Sequence, residues 1–176
     1  MSPPNSNLIL SLSHPKIHRL KTVRISLLRR KRMSTAFFYG TLTRPEVLGR
    51  VIANSFEVPA HVKVSPATLH DHVRYHVKNR DYPGVIAKSG ASVQGTVAFN
   101  LSDSDVAKLD VFEGEDYKRV VVDVDVDGTK VPAHLYLWIG GEDRLDDKEW
   151  DVNVFVKEKM DSWLYEELGV HVKTRE

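Results

Sequence analysis

Val120-Val121-Val122-Asp123-Val124-Asp125-Val126-Asp127-Gly128-Thr129-Lys130-Val131 contains an alternating run that stops at a turn pair. Successive side chains of a strand point to opposite sides, so Val120, Val122, Val124 and Val126 share one face and Val121, Asp123 and Asp125 the other. Asp-Gly readily supplies the positive φ angles of a two-residue hairpin turn. The stretch from Val131 to Ile139 therefore returns beside the first strand, and a β-hairpin anchors the reading of the fold.

Upstream of the hairpin, Ser102-Asp103-Ser104-Asp105 has the form of a capping box, with Ser102 as N-cap and an acid three residues later. Val106, Leu109 and Phe112 then fall on one helical face, and the helix stops near Glu113-Gly114. Downstream, Val152, Phe155, Val156, Lys159, Met160, Trp163 and Leu164 trace an apolar stripe closed by Gly169, which predicts one long packing helix from Asp151 to Leu168. Residues 45–53 fit a helix and Ala36 to Tyr39 a short buried strand. Further short strands are predicted at 61–64, 67–70, 72–77, 84–87 and 92–99. Many short strands with two or three helices between them give an α+β arrangement.

A chain of 176 residues fits one domain with a single core. The absence of cysteine excludes disulfides, thiolate nucleophiles and cysteine metal sites, and fits a reducing compartment, so a cytoplasmic location is expected. The longest uncharged apolar stretches, such as Leu8 to Leu12 and His134 to Ile139, fall short of a bilayer span, and no membrane association is expected. The net charge of +1 hides an asymmetry. Residues 1–33 hold eight of the 25 basic residues and no acid, leaving 17 basic against 24 acidic residues, or −7, in the body. An acidic body argues against nucleic-acid binding by the domain. Residues 1–33 are thus expected to be a basic leader and 34–176 the domain. Three readings of the leader stay open: an extension ahead of a start at Met33, a mitochondrial transit peptide that would place the protein in the matrix, or a disordered interaction tail.

Two segments carry chemistry. In Phe37-Phe38-Tyr39-Gly40-Thr41-Leu42-Thr43-Arg44-Pro45 a strand meets a glycine and then a proline-led helix. The N–H groups of Gly40, Thr41 and Leu42 are placed to converge on one charged oxygen. In Leu109-Asp110-Val111-Phe112-Glu113-Gly114-Glu115-Asp116-Tyr117-Lys118-Arg119 the carboxyl of Glu113 lies at a helix end, where a negative charge is disfavoured and proton affinity rises toward that of a general base. The bland alternatives are a plain turn and an exposed helix-end glutamate. Glu115 and Asp116 are expected on the solvated turn that follows.

Tyr39-Gly40-Thr41-Leu42, Asp81-Tyr82-Pro83-Gly84, Gln94-Gly95 and Leu109-Asp110-x-Phe112-Glu113-Gly114-x-x-Tyr117-x-Arg119, in this order, resemble the gamma-glutamylcyclotransferase superfamily, specifically its AIG2-like branch. The match spans roughly residues 35 to 140. Thr41-Leu42 stands where generic members carry Ser-Asn or Ser-Leu, the form typical of the AIG2-like group. The resemblance implies a small mixed β-barrel with flanking helices and an activity that converts an L-γ-glutamyl amine or dipeptide to 5-oxo-L-proline and a free amine, without a cofactor. It implies Glu113 as the catalytic residue, with Tyr39, Gly40, Thr41, Leu42, Tyr82, Pro83 and Tyr117 holding substrate. Tyr82-Pro83 could equally be a turn, Tyr117 a core aromatic, and Arg119 a structural partner of a nearby acid. A non-catalytic γ-glutamyl- or peptide-binding module on the same fold is the alternative. The leaving amine and the oligomeric state are not readable.

His70, His72 and His76 invite a metal reading, but Arg74 shares a face with His72 and His76 and opposes a cation, so a solvated sheet face is expected there. No serine has nucleophile-elbow spacing, which removes a hydrolase triad.

Overall fold

Five strands close on themselves in the computed structural model, which describes residues 33–169. The elements are β1 (Ser34–Phe38), a 3-10 turn at Thr41–Thr43, α1 (Pro45–Ala53), β2 (Lys63–His76), β3 (Pro83–Leu101), α2 (Asp103–Glu113), β4 (Tyr117–Val126), β5 (Thr129–Trp138), a second 3-10 turn at Glu142–Arg144, α3 (Val152–Glu158) and α4 (Met160–Leu168). The barrel order is β1-β3-β2-β4-β5. All neighbours are antiparallel except β1 and β5, which run parallel with Ala36 opposite His134 and close the ring. This is the mixed β-barrel with flanking helices that the family motifs implied. The expected leader lies outside the described residues apart from Met33. Among the described residues no helix is long and apolar enough to cross a membrane.

The run Ala36-Phe37-Phe38 is apolar throughout because both faces of β1 are covered. Phe37 packs with Leu69, Val85, Val97, Val124 and Leu135 in one cluster. Ala36 and Phe38 belong to another, with Leu48, Leu109, Phe155 and Trp163 from the helices. The β4–β5 hairpin takes the expected register, Val126 opposite Thr129, and Asp127 (φ 50°) and Gly128 (φ 80°) form its turn. Val121 is two-thirds exposed and Val124 fully buried, as the alternation requires. The box at the start of α2 is present: the Asp105 N–H donates to Ser102 Oγ at 3.2 Å, and the Ser102 N–H donates to Asp105 Oδ2 at 2.8 Å.

Two expectations need correction. The short strands at 61–64, 67–70 and 72–77 are one long strand, β2, and those at 84–87 and 92–99 are one long strand, β3. Between the predicted pieces the pair is bulged rather than interrupted: the register shifts between His70 and His72, Asp71 takes a left-handed φ of 57°, and its Oδ1 accepts from the Gly90 N–H at 2.9 Å. The predicted long helix is two, broken at Lys159, whose φ of −128° leaves the helical region. Eight residues of straight helix would separate Phe155 and Trp163 by about 12 Å along the axis. The break brings their rings edge to face at 5.7 Å.

Candidate active site

A cavity of about 510 Å³ opens between the barrel and its helices. Tyr39, Gly40, Thr41 and Leu42 line it after β1, Tyr82 and Pro83 at the start of β3, and Glu113 and Tyr117 on either side of the α2–β4 turn. All eight residues singled out in the sequence thus share one cavity. Gly114, Glu115 and Asp116 line it too, as do five aromatic residues that sequence reasoning did not assign to the site, Phe37, Phe38, Phe112, Tyr136 and Trp163. Phe37, Phe38 and Phe112 stand inside the quoted stretches, whereas the only signal of Tyr136 and Trp163 was apolar periodicity, which does not separate a core residue from a cavity wall.

The loop after β1 presents its donors because its acceptors are occupied elsewhere. A trans peptide points its N–H away from its own carbonyl. The Tyr39 carbonyl accepts from Arg74 Nη1 at 2.9 Å. The Gly40 carbonyl accepts from the Thr43 N–H at 3.0 Å and from Thr43 Oγ1 at 2.6 Å, and the Thr41 carbonyl accepts from the Arg44 N–H at 3.0 Å. The three opposing N–H groups, on Gly40, Thr41 and Leu42, have no acceptor among the described residues. Gly40 has φ −118°, so its requirement is not a left-handed backbone; a Cβ there would meet the ring of Pro83 at 3.0 Å.

Glu113 is the last residue of α2, and Gly114 turns the chain away with φ 72°. No donor among the described residues reaches its carboxylate, and its half-buried side chain lines the cavity. Burial pushes its pKa up to about 8. The direction is the one expected, although its cause is loss of water rather than the helix end. Burial also raises the hydroxyls of Tyr39, Tyr117 and Tyr136, with the charge of Glu113 contributing at each, so all three stay neutral donors. Tyr39 donates to the Tyr136 carbonyl at 2.6 Å and Tyr117 to the Pro83 carbonyl at 2.8 Å. Tyr117 thus has the satisfied hydroxyl of a core aromatic while its side chain lines the cavity. Tyr136 donates to Asp110 Oδ1 at 2.8 Å, and Arg119 pairs with the same carboxylate, Nε to Oδ1 at 2.8 Å. Asp110 and Arg119, both in the quoted motif, thus brace the wall from outside.

Glu115 is exposed, while Asp116 is half-buried and gripped by Arg144 through two bonds of 2.8 and 2.9 Å, which hold its carboxyl below the usual range. Both lie on the expected turn and also line the cavity, and the Asp116 side chain is 38% exposed. The expected solvated face of His72, Arg74 and His76 needs correction. The Arg74 side chain is only 12% exposed and stacks over Trp150 at 5.6 Å, and His76 Nδ1 meets Asp146 Oδ2 at 2.9 Å.

A closed barrel with an amide cradle and the Glu113 carboxyl lining one cavity is the arrangement that the ordered motifs implied. The chain belongs to the gamma-glutamyl cyclotransferase, AIG2-like family, whose model matches residues 36–152. It is similar to Protein AIG2 C of Arabidopsis thaliana, 32% identical over 117 residues, covering 65% of this chain and 67% of that one. AIG2-like protein D of the same plant is 30% identical over 135 residues, covering 75% and 85%. Among solved structures, an Arabidopsis thaliana protein in solution superposes with a TM-score of 0.56 at 27% identity, covering 82% of this chain and 95% of that one.

Proposed function

We propose that the cavity converts an L-γ-glutamyl amine to 5-oxo-L-proline and the free amine, with Glu113 as the only acid/base. The observation that carries this reading is a carboxyl raised to about 8 in the same cavity as three amide donors, neither it nor they having a partner among the described residues. A group that must take and return protons near neutrality works best with a pKa close to the working pH. The family description, a gamma-glutamyl cyclotransferase, supports this class of reaction.

In the proposed reaction the Glu113 carboxylate takes a proton from the substrate α-ammonium, and the freed amine attacks its own γ-carbonyl carbon. The carbonyl oxygen gathers negative charge against the Gly40, Thr41 and Leu42 amides. Glu113 then delivers its proton to the leaving nitrogen and the carbon–nitrogen bond breaks. The ring nitrogen sheds a second proton, which Glu113 passes to the departing amine. Two protons leave one nitrogen and two arrive on the other, so the amine departs as an ammonium and Glu113 is restored. Because nucleophile and electrophile belong to one molecule, folding the substrate back within aromatic walls supplies much of the rate. No step in this sequence draws on a cofactor.

The test is 5-oxoproline release from γ-glutamylethylamide, γ-glutamyl-ε-lysine, γ-glutamylalanine and glutathione by the full chain. Turnover of at least one is expected. Binding of 5-oxoproline without turnover of any would instead identify a γ-glutamyl-binding module.

A further inference from the structure

We propose that Arg74 is a positioning residue for the amide cradle: its bond to the Tyr39 carbonyl turns the Gly40 N–H into the cavity and strengthens it as a donor. The ligand named for the cradle rests on the cyclotransferase reading; the geometry of Arg74 does not.

Four observations carry it. Arg74 Nη1 lies 2.9 Å from the Tyr39 oxygen, and that carbonyl shares a peptide with the Gly40 amide. Arg74 does not line the cavity, so it sits behind the loop, and the trans peptide sends the N–H to the other side. The guanidinium is held from several directions: Nη2 pairs with Glu149 Oε1 at 3.0 Å, Nη1 also approaches the Gln94 carbonyl at 3.4 Å, and the plane rests on Trp150. Trp150 is itself fixed by its Nε1 donating to the Asp81 carbonyl at 3.1 Å. Finally, among the described residues lining the cavity there is no Lys, Arg or His. Positive potential thus reaches the cradle through a polarised peptide rather than through a side chain in contact with substrate. A cation on a carbonyl oxygen draws electron density along the peptide and leaves its N–H more positive, the cooperative effect of linked hydrogen bonds.

The experiment compares wild type, Arg74→Met, Arg74→Lys and Glu149→Gln in the full chain. Two signals are read: steady-state turnover of γ-glutamylethylamide, and the amide resonance of Gly40 in the ligand-free protein, with Gly114 as reference. Arg74→Met should lower kcat about ten- to a hundredfold, somewhat less than outright loss of an oxyanion donor. KM should stay within about threefold and the Gly40 proton should move upfield. Glu149→Gln, which leaves the bond to Tyr39, should stay within about twofold and leave the Gly40 resonance in place. Wild-type kcat in folded Arg74→Met, or an unmoved Gly40 resonance, overturns the proposal; so does an equal loss in Glu149→Gln, which would make Arg74 a structural tie. If Arg74→Met does not fold, Arg74→Lys is read in its place. An ammonium cannot reproduce the fork that spans Tyr39 and Glu149, so both signals must depart from wild type, and neither doing so overturns the proposal. If wild type turns over nothing, the cyclotransferase reading fails, while the ligand-free Gly40 resonance still decides the role of Arg74.

Discussion

Glu113 carries two opposite demands, because the burial that makes it a base at neutral pH also makes its charged form costly to fold around. With a folded pKa of about 8 against an ordinary 4.5, the native state holds a proton between those values that the unfolded state has released. Stability contributed by this group is therefore full below pH 4.5 and is lost as pH rises through 8. Glu113→Gln should cut turnover by about two to four orders of magnitude and, relative to wild type, gain stability as pH rises from 4.5 to about 8, by about 1.4 kcal/mol for each unit crossed at most. Melting curves at several pH values, set beside 5-oxoproline assays, check both halves. Near-wild-type release would remove the mechanism. Glu115→Gln, at an exposed position, should be mild. In wild type, kcat/KM should climb with a midpoint near 8, where the carboxylate forms. At Gly40 the neighbour decides: a valine there drives carbons into the Pro83 ring already 3.0 Å from a first Cβ. Gly40→Val is expected to abolish binding of 5-oxoproline as followed by calorimetry, while Thr41→Ser is tolerated.

At the scale of elements, α2 is held at one end by its cap and carries the candidate base at the other. Burial alone would raise the Asp105 carboxyl, yet the bonds from Ser102 and the nearby His61 hold it low, so the cap is charged. Ser102→Ala removes the Oγ that bonds both the Asp105 N–H and its carboxylate. A loss of about 1–2 kcal/mol is expected, seen as a drop of a few degrees in Tm. Elements whose logic is local were legible from residues alone: the Val120–Val126 alternation, the Asp127-Gly128 turn, the Ser102 cap and the helix at 45–53. The continuity of β2 and β3 was not legible because the alternation of each is interrupted where the pair bulges, near Asp71 and Gly90. Lys159 hid a break because it sits within an unbroken apolar stripe, and only packing of Phe155 on Trp163 forces the bend. That Tyr39 to Leu42, Tyr82, Pro83, Glu113 and Tyr117 share one cavity was legible through their ordered motifs. Phe37, Tyr136 and Trp163 were not, since a wall is defined by what faces it, and Arg74 was noticed only as a charge unfavourable to metals.

For the molecule as a whole, the five strands of the closed barrel lie between residues 34 and 138, and the buried clusters of the described residues span positions 36 to 164. A chain begun at Met33 should therefore match the full chain in Tm and catalytic rate; a melt several degrees lower would show that the boundary is misplaced. Closure also has a kinetic side. Ala36 must find His134, and the Tyr39 hydroxyl must find the Tyr136 carbonyl across 97 residues. Such remote pairing makes folding slow, because loop entropy is lost before contacts repay it. During synthesis β1 emerges first and stays unpaired on both edges until its partners follow: β3 by residue 101, β5 only by 138. The ribosome thus releases the cradle early and its floor late, so a nascent chain halted inside β4 already owns Glu113 and the glycine loop yet has no chamber in which the two could meet.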